Sequence, residues 1–122
     1  MILLGPLKDK ERIKSLFDKA GICYNGNSGC VTASDREETL GFCLYDLDGE
    51  RMIIHHIEPL DDISFVDGVL RSTLHIAAQR SIMNCFYSDT APQDVFQKLG
   101  FIKDTEHKAI DIDKLFKSCC GC

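Results

Sequence analysis

The 122-residue chain lacks three features that mark large functional classes. It has no cluster of lysine or arginine, because its 14 basic residues are spread among 19 acidic ones, for a formal net charge of −5. It has no apolar run near the roughly 20 residues that a membrane-spanning helix needs. It also has no internal repeat or low-complexity linker. The sequence therefore predicts no nucleic-acid partner and no membrane partner.

The chain also lacks the marks of a secreted protein. Its first six residues have no basic segment, and their apolar run is too short for a signal peptide. A hydrophobic content of 44% with 27% charged residues is typical of a globular protein, and the length suits one core. We expect one soluble, cytoplasmic domain over residues 1–116, followed by a cysteine-rich tail over residues 117–122.

The seven cysteines fall into two groups. An odd count without a secretory signal argues against a disulfide scaffold, so the four scattered cysteines are interpreted as small buried apolar residues. These are Cys23, Cys30, Cys43 and Cys85. The tail holds Cys119, Cys120 and Cys122, which suit a soft metal, a reactive thiol or a functionless end. A closed zinc site needs four ligands, so no metal is expected.

Hydrophobic periodicity predicts the order helix, three strands, helix, strand, helix and two strands. The predicted helices cover residues 8–20, 64–80 and a segment from a capping box at residues 90–93 to Gly100. The predicted strands cover residues 30–34, 39–47, 51–58, 82–87, 101–102 and 109–112. Meandering strands followed by helical crossovers indicate an α/β (α+β) protein with a mixed, mostly antiparallel sheet flanked by helices.

Four short motifs occur in the order and spacing of a known family. They are Gly41-Phe42-Cys43-Leu44, Ile57-Glu58-Pro59, Ala77-Ala78-Gln79-Arg80-Ser81-Ile82 and Phe96-Gln97-Lys98-Leu99-Gly100-Phe101. Over residues 8–112 the chain resembles a short and divergent member of the GNAT (N-acetyltransferase) superfamily. The resemblance implies a GNAT-like fold and transfer of an acetyl or similar group from acetyl-CoA to an amine on a small molecule or a peptide.

The resemblance also implies where acetyl-CoA binds. In that family it lies where the fourth and fifth strands splay apart, and backbone N–H groups that open the long helix hold its diphosphate. The residues implied for pantetheine and thioester are Ile57, Glu58, Pro59 and Leu60, and those for the diphosphate are Ile63, Ser64, Phe65, Val66 and Asp67.

The diphosphate loop departs from the family pattern. The basic lead residue is replaced by Asp61 or Asp62, and the loop's two glycines are absent. A carboxylate 4 Å from a diphosphate repels it by about 1 kcal/mol in water. The same acids at the start of a helix stabilise its dipole, and Asp62 or Ser64 suits the N-cap. Both interpretations are open at this stage.

The groups that would move protons are also altered. Many family members use a tyrosine of the last helix to protonate the leaving CoA thiolate, and Phe96 stands at that position. Tyr87 is the nearest substitute in the sequence, and its alternative role is a half-buried aromatic at a strand end.

The candidate general bases lie on the strand over residues 51–58. Because strand side chains alternate, we expect His56 and Glu58 on one face, and His55 on the other with Ile53 and Ile57. Glu58 or His56 is the predicted base. The alternative is a packed or surface histidine beside a glutamate at the strand edge.

Two further functions follow from these departures. A chain without the glycines and the tyrosine acid suits a catalytically silent GNAT-fold protein that binds a ligand or partner. The cysteine tail suits a thiol or metal function. Members of the family often form homodimers, and the sequence leaves both the oligomeric state and the acceptor open.

Overall fold

The computed structural model describes residues 2–113 and 115, which form one seven-stranded sheet with helices on both faces. The strands are β1 (Ile2–Pro6), β2 (Ser28–Asp35), β3 (Glu38–Leu47), β4 (Arg51–Glu58), β5 (Asn84–Tyr87), β6 (Ile102–Asp104) and β7 (Ala109–Ile110). The helices are α1 (Lys10–Ala20), α2 (Ile63–Gln79) and α3 (Gln93–Leu99). The sheet order is β1-β2-β3-β4-β5-β7-β6, and among the strands of the described residues only the β4–β5 pair is parallel. The predicted mixed, mostly antiparallel sheet is confirmed.

A membrane-spanning helix would need a longer and more apolar segment than any helix within the described part of the chain.

Each face of the sheet has its own core. Helices α2 and α3 cover the larger core, to which β3 contributes Cys43 and Tyr45. Helix α1 covers the smaller core, to which β3 contributes Leu44, with Phe42 packed against it. Alternation along β3 therefore places Phe42, Leu44 and Asp46 on the α1 face, and Cys43 and Tyr45 on the α2 face.

Strand β1 was not predicted from the sequence. It lies at the edge of the sheet, antiparallel to β2, with Leu4 opposite Ala33. Its five residues show no alternation of apolar and polar side chains, and they end in Gly-Pro, which is typical of a loop. Its partner strand lies more than twenty residues away, so no local signal reports the pairing.

Three of the four scattered cysteines are buried as predicted, namely Cys30, Cys43 and Cys85, whereas Cys23 is exposed and its prediction was wrong. Burial raises the pKa of each of the three buried thiols from 9.0 to about 12. The tail cysteines, Cys119, Cys120 and Cys122, lie outside the described residues.

The buried thiols predict a loss of stability at alkaline pH. Between pH 9 and 12 the unfolded chain has released these protons and the folded chain has kept them, so the free energy of unfolding falls as pH rises. The fall is about 1.4 kcal/mol per pH unit for each thiol. Urea unfolding under reducing conditions should show that the free energy of unfolding falls less between pH 7.5 and pH 10 in Cys85→Ala than in the wild type. The matched variant Cys23→Ser, which removes an exposed thiol, should keep the wild-type fall.

Candidate active site

A gap opens in the sheet where β4 continues beyond β5. The two strands pair in parallel from Arg51 opposite Asn84 to Ile54 opposite Tyr87. The next hydrogen bond runs from the Ser88 N–H to the Ile54 carbonyl, at 2.9 Å. After it β5 has ended, whereas β4 extends to residue 58. Residues 56–58 of β4 therefore border a gap on the β5 side of the sheet, whereas the His55 carbonyl accepts a hydrogen bond from the Thr90 hydroxyl.

A β-bulge lies at the start of this gap. In the pairing of β3 with β4, Leu44 lies opposite His56 and Tyr45 lies opposite Ile54, which leaves His55 as an extra residue. A bulge changes the alternation of side chains along its strand. Ile54 packs in the larger core, and so does Ile57, three residues later.

The bulge overturns the predicted placement of His55. His55 Nε2 lies 3.1 Å from Oδ2 of Asp46, which is on the α1 face. The His56 ring lies 6.0 Å from the ring of Phe42, on the same face. His55 and His56 therefore share the α1 face instead of opposing each other, and Ile57 lies with the α2 core. The prediction assumed unbroken alternation, which the inserted residue removes.

The predicted pairing of His56 with Glu58 on one face is confirmed by contact. His56 Nε2 lies 2.9 Å from Oε2 of Glu58, and the two side chains are 27% and 55% exposed. Glu58 also lines an open groove of about 250 Å³ beside α1. The other lining residues are Leu16, Thr39, Leu40, Gly41, Phe42 and Pro59. Glu58 is thus accessible from a groove whose lining is mainly apolar.

A second polar network surrounds His55, and the sequence did not predict it. His55 Nδ1 lies 2.9 Å from Oγ of Ser88, and Ser88 Oγ lies 2.8 Å from Oγ1 of Thr90. The Thr90 hydroxyl donates to the His55 carbonyl at 2.7 Å. Thr90 was predicted to cap α3, but the N-cap is Pro92, which has no side-chain cap bond. The Thr90 hydroxyl makes no cap bond and donates instead to the carbonyl of the bulge residue His55, because that carbonyl faces the turn after β5.

The start of α2 carries its own carboxylate. The Asp62 side chain accepts hydrogen bonds from the N–H groups of Ser64 at 3.1 Å and Phe65 at 3.3 Å, which makes Asp62 the N-cap. The Val66 N–H donates to the Asp62 carbonyl at 3.0 Å. Two of the five amides that the resemblance assigned to a diphosphate thus already bind an anionic group, and Asp67 is paired with Arg71 at 2.9 Å.

Tyr87 lies on the opposite side of the sheet from His56 and Glu58. Its side chain is part of the larger core, with 3% of the residue exposed. Its hydroxyl donates to Oε1 of Gln93 at 3.2 Å, and its ring meets the ring of Phe96 edge-on at 6.0 Å. Burial, and to a smaller extent the Asp104 carboxylate, raises the pKa of Tyr87, which keeps its hydroxyl protonated at neutral pH.

Comparison with solved structures finds the same architecture in three bacterial proteins. Ribosomal-protein-S18-alanine N-acetyltransferase from Escherichia coli matches with a TM-score of 0.58 and 9% identity, over 89% of this chain and 88% of that chain. A GNAT family acetyltransferase from Elizabethkingia anophelis, solved with acetyl-CoA bound, matches with a TM-score of 0.58 and 19% identity, over 84% of this chain and 78% of that chain. The chain has the GNAT fold.

A third GNAT-fold match is a putative acetyltransferase of the GNAT family from Desulfovibrio desulfuricans, with a TM-score of 0.57 and 9% identity, over 82% of this chain and 83% of that chain. No protein-family model and no curated protein sequence matches the chain. The GNAT fold expected from the four sequence motifs is therefore confirmed by structure, at identities too low to carry a substrate from one protein to another.

Proposed function

We propose that this protein is an acyl-CoA-dependent N-acyltransferase that transfers an acetyl or similar short acyl group to an amine. The observation that supports this most is the gap beside the bulged end of β4, with the His56–Glu58 pair at its rim. The gap occurs in a GNAT fold, and one protein of that fold was solved with acetyl-CoA bound. A groove open to solvent lies next to the pair and provides a route for the amine.

In this proposal the backbone of residues 57–60 holds the pantetheine and the thioester. The His56–Glu58 pair removes the proton from the acceptor amine, because a free amine attacks a thioester and an ammonium does not. The amine nitrogen attacks the thioester carbonyl to form a tetrahedral intermediate and loses its second proton to water, and the intermediate then expels the CoA thiolate. Tyr87 is the proposed proton donor to that thiolate, and its hydroxyl must first release its hydrogen bond to Gln93 Oε1.

The diphosphate would lie near residues 63–67, where Asp62 now occupies two amides. Asp62→Asn should keep the cap, because asparagine and aspartate are similar N-caps, and should remove the charge. At about 4 Å in water the repulsion is about 1 kcal/mol, so we expect acetyl-CoA to bind about fivefold more tightly. Calorimetric titration at low salt measures this change.

The matched control for Asp62→Asn is Asp9→Asn. Asp9 caps α1 in the same way, by accepting from the N–H groups of Glu11 and Arg12. Its charge lies at a different helix, so its replacement should leave acetyl-CoA affinity unchanged. Equal affinity in wild type and Asp62→Asn would place the diphosphate away from the start of α2.

The second candidate function is a GNAT-fold protein that binds a ligand or partner without catalysis. Two observations favour it: the Asp62 carboxylate occupies amides that an anionic ligand would use, and Phe96 stands where the resemblance places the tyrosine acid. The two functions separate in one assay. An N-acyltransferase releases CoA thiol from acetyl-CoA faster when an acceptor amine or peptide is added. A silent protein shows no amine-dependent release with any acceptor in a broad panel.

A further inference from the structure

Ser88, His55 and Asp46 form a line of hydroxyl, imidazole and carboxylate at the start of the gap. Ser88 Oγ lies 2.9 Å from His55 Nδ1, and His55 Nε2 lies 3.1 Å from Asp46 Oδ2. This is the combination of groups that activates serine in hydrolases, with the roles of the two ring nitrogens exchanged. The His56–Glu58 pair takes no part in these contacts.

Each member of this line is held in place by other groups. Asp46 Oδ1 accepts a hydrogen bond from Ser28 Oγ at 2.9 Å, so its other oxygen is the one that faces His55. The His55 side chain is 15% exposed, and the bulge places it on the α1 face. Ser88 is tied to β4 through its own N–H, which donates to Ile54. Side chains fixed in this way meet a general requirement of catalytic sites, which is preorganisation.

The contact between His55 and Asp46 is electrostatic in character. His55 Nε2 is enclosed, and the Asp46 oxygen lies at ion-pair distance but off the line of a hydrogen bond. A carboxylate in this place stabilises the imidazolium that forms when His55 takes a proton. It therefore assists base catalysis by His55 without accepting the proton itself.

We propose that Ser88 is a nucleophile, activated by His55 and Asp46, that gives this protein a hydrolase activity toward short-chain acyl thioesters and activated esters. Ser88 Oγ forms a bond to the acyl carbon while its proton passes to His55 Nδ1. The carbon–sulfur or carbon–oxygen bond to the leaving group then breaks, and His55 returns the proton to that group. Water, deprotonated by His55, next attacks the acyl-serine; the ester bond to Ser88 Oγ breaks, the carboxylic acid leaves, and His55 returns the proton to Ser88 Oγ.

Thr90 holds the Ser88 proton in the resting arrangement. The Thr90 hydroxyl donates to the His55 carbonyl, so Ser88 is the donor in its 2.8 Å contact with Thr90 and accepts a hydrogen bond from His55 Nδ1. The reactive arrangement is the other one, in which Ser88 donates to His55 Nδ1. Ser88 is half-buried and lies in the turn after β5, beside the gap. Attack requires an acyl carbonyl in the gap to come within reach of its hydroxyl.

Use of a CoA thioester by Ser88 rests on the proposed function, whereas reaction with a simple ester does not. The test is therefore made first with p-nitrophenyl acetate and with a fluorophosphonate probe, on the full chain, and the modified residue is found by peptide mass spectrometry. We expect the probe on Ser88 in wild type. Ser88→Ala should abolish enzymatic hydrolysis of p-nitrophenyl acetate, and His55→Gln should lower its rate about 100-fold.

The matched controls remove the same chemical groups elsewhere. Ser15→Ala and His75→Gln change exposed residues on helices and should leave labelling and hydrolysis at the wild-type level. Thermal melts confirm that each variant is folded. If Ser88→Ala does not fold, Ser88→Cys replaces it, and the proposal then requires acetylation of the peptide that carries position 88.

The outcomes are distinguishable from those of the proposed function. Labelling of Ser88 that depends on His55 and Asp46 supports the nucleophile whether or not acetyl-CoA binds. Two results would overturn the proposed nucleophile. One is probe labelling at cysteines or other serines only, and the other is an equal rate of hydrolysis in wild type and Ser88→Ala. Amine-independent release of CoA thiol that is lost in Ser88→Ala extends the activity to the CoA thioester.

Discussion

Gly41→Ala is expected to lower the free energy of unfolding by about 2–3 kcal/mol, in the upper part of the range for overpacking. A Cβ atom at Gly41 would lie 2.5 Å from the ring of Phe65, 2.6 Å from the carbonyl oxygen of Glu58 and 2.9 Å from the ring of Pro59. Real Cβ atoms do not approach so closely, and two of the three neighbours are backbone or a proline ring. Relief therefore requires β3, the end of β4 or the start of α2 to move.

The Gly41 substitution also reaches the candidate site, because the same three neighbours border it. Glu58 is one member of the candidate His56–Glu58 base pair, and Phe65 belongs to the first turn of α2. We therefore expect weaker acetyl-CoA binding together with the loss of stability. Urea unfolding measures the first effect and calorimetric titration measures the second.

Gly68→Ala is the matched control, and its expected effect has the opposite sign. Gly68 lies inside α2, and among the described residues a Cβ atom there would meet only the side chain of Leu4, at 3.9 Å. Alanine in a helix is more stable than glycine by about 0.5–1 kcal/mol, so Gly68→Ala should raise the free energy of unfolding. Similar losses at Gly41 and Gly68 would contradict the close packing at the end of β3.

Glu58→Gln and His56→Gln should each reduce kcat/KM for acyl transfer by about 100-fold or more, with acetyl-CoA binding unchanged. The reason is that His56 Nε2 and Glu58 Oε2 lie 2.9 Å apart and act on one proton. Losing either partner removes the base or the group that stabilises its protonated form. Because the two residues act as a unit, the double variant should be about as impaired as the worse single variant.

The control for the His56–Glu58 prediction is Glu50→Gln, in the exposed hairpin between β3 and β4. It changes the net charge as Glu58→Gln does and should leave kcat/KM at the wild-type value. Strict additivity of the Glu58 and His56 effects would show that the residues act separately. Retention of full activity by both single variants would exclude the pair as the base.

Much of the fold could be predicted from local sequence patterns. The period of Val66, Val69, Leu70 and Leu74 predicted α2, and these residues are buried in the larger core. The Asp48-Gly49 pair predicted the hairpin, in which Gly49 has a φ of 91°. Such signals depend only on residues that are close in the sequence, so they can be recognised without knowledge of the tertiary structure.

The candidate site was only partly predictable, because it depends on long-range pairing. His56 and Glu58 could be placed on one face by counting along the strand, but the bulge that turns His55 to the same face comes from the register with β3. The contact of His55 with Ser88 spans 33 residues, and no pattern in the sequence reports it. Thr90 resembled a helix cap because the competing acceptor, the His55 carbonyl, lies 35 residues away.

The most direct test of the proposed acyltransferase is calorimetric titration of the reduced protein with acetyl-CoA, with free CoA as the reference. We predict binding in the micromolar range, because the gap beside β4 would accept pantetheine even while Asp62 disfavours the diphosphate. Asp62→Asn should tighten that binding and Asp9→Asn should not. Absence of binding up to millimolar acetyl-CoA, in wild type and in Asp62→Asn, would contradict the acyltransferase and leave the GNAT fold as a scaffold for another function.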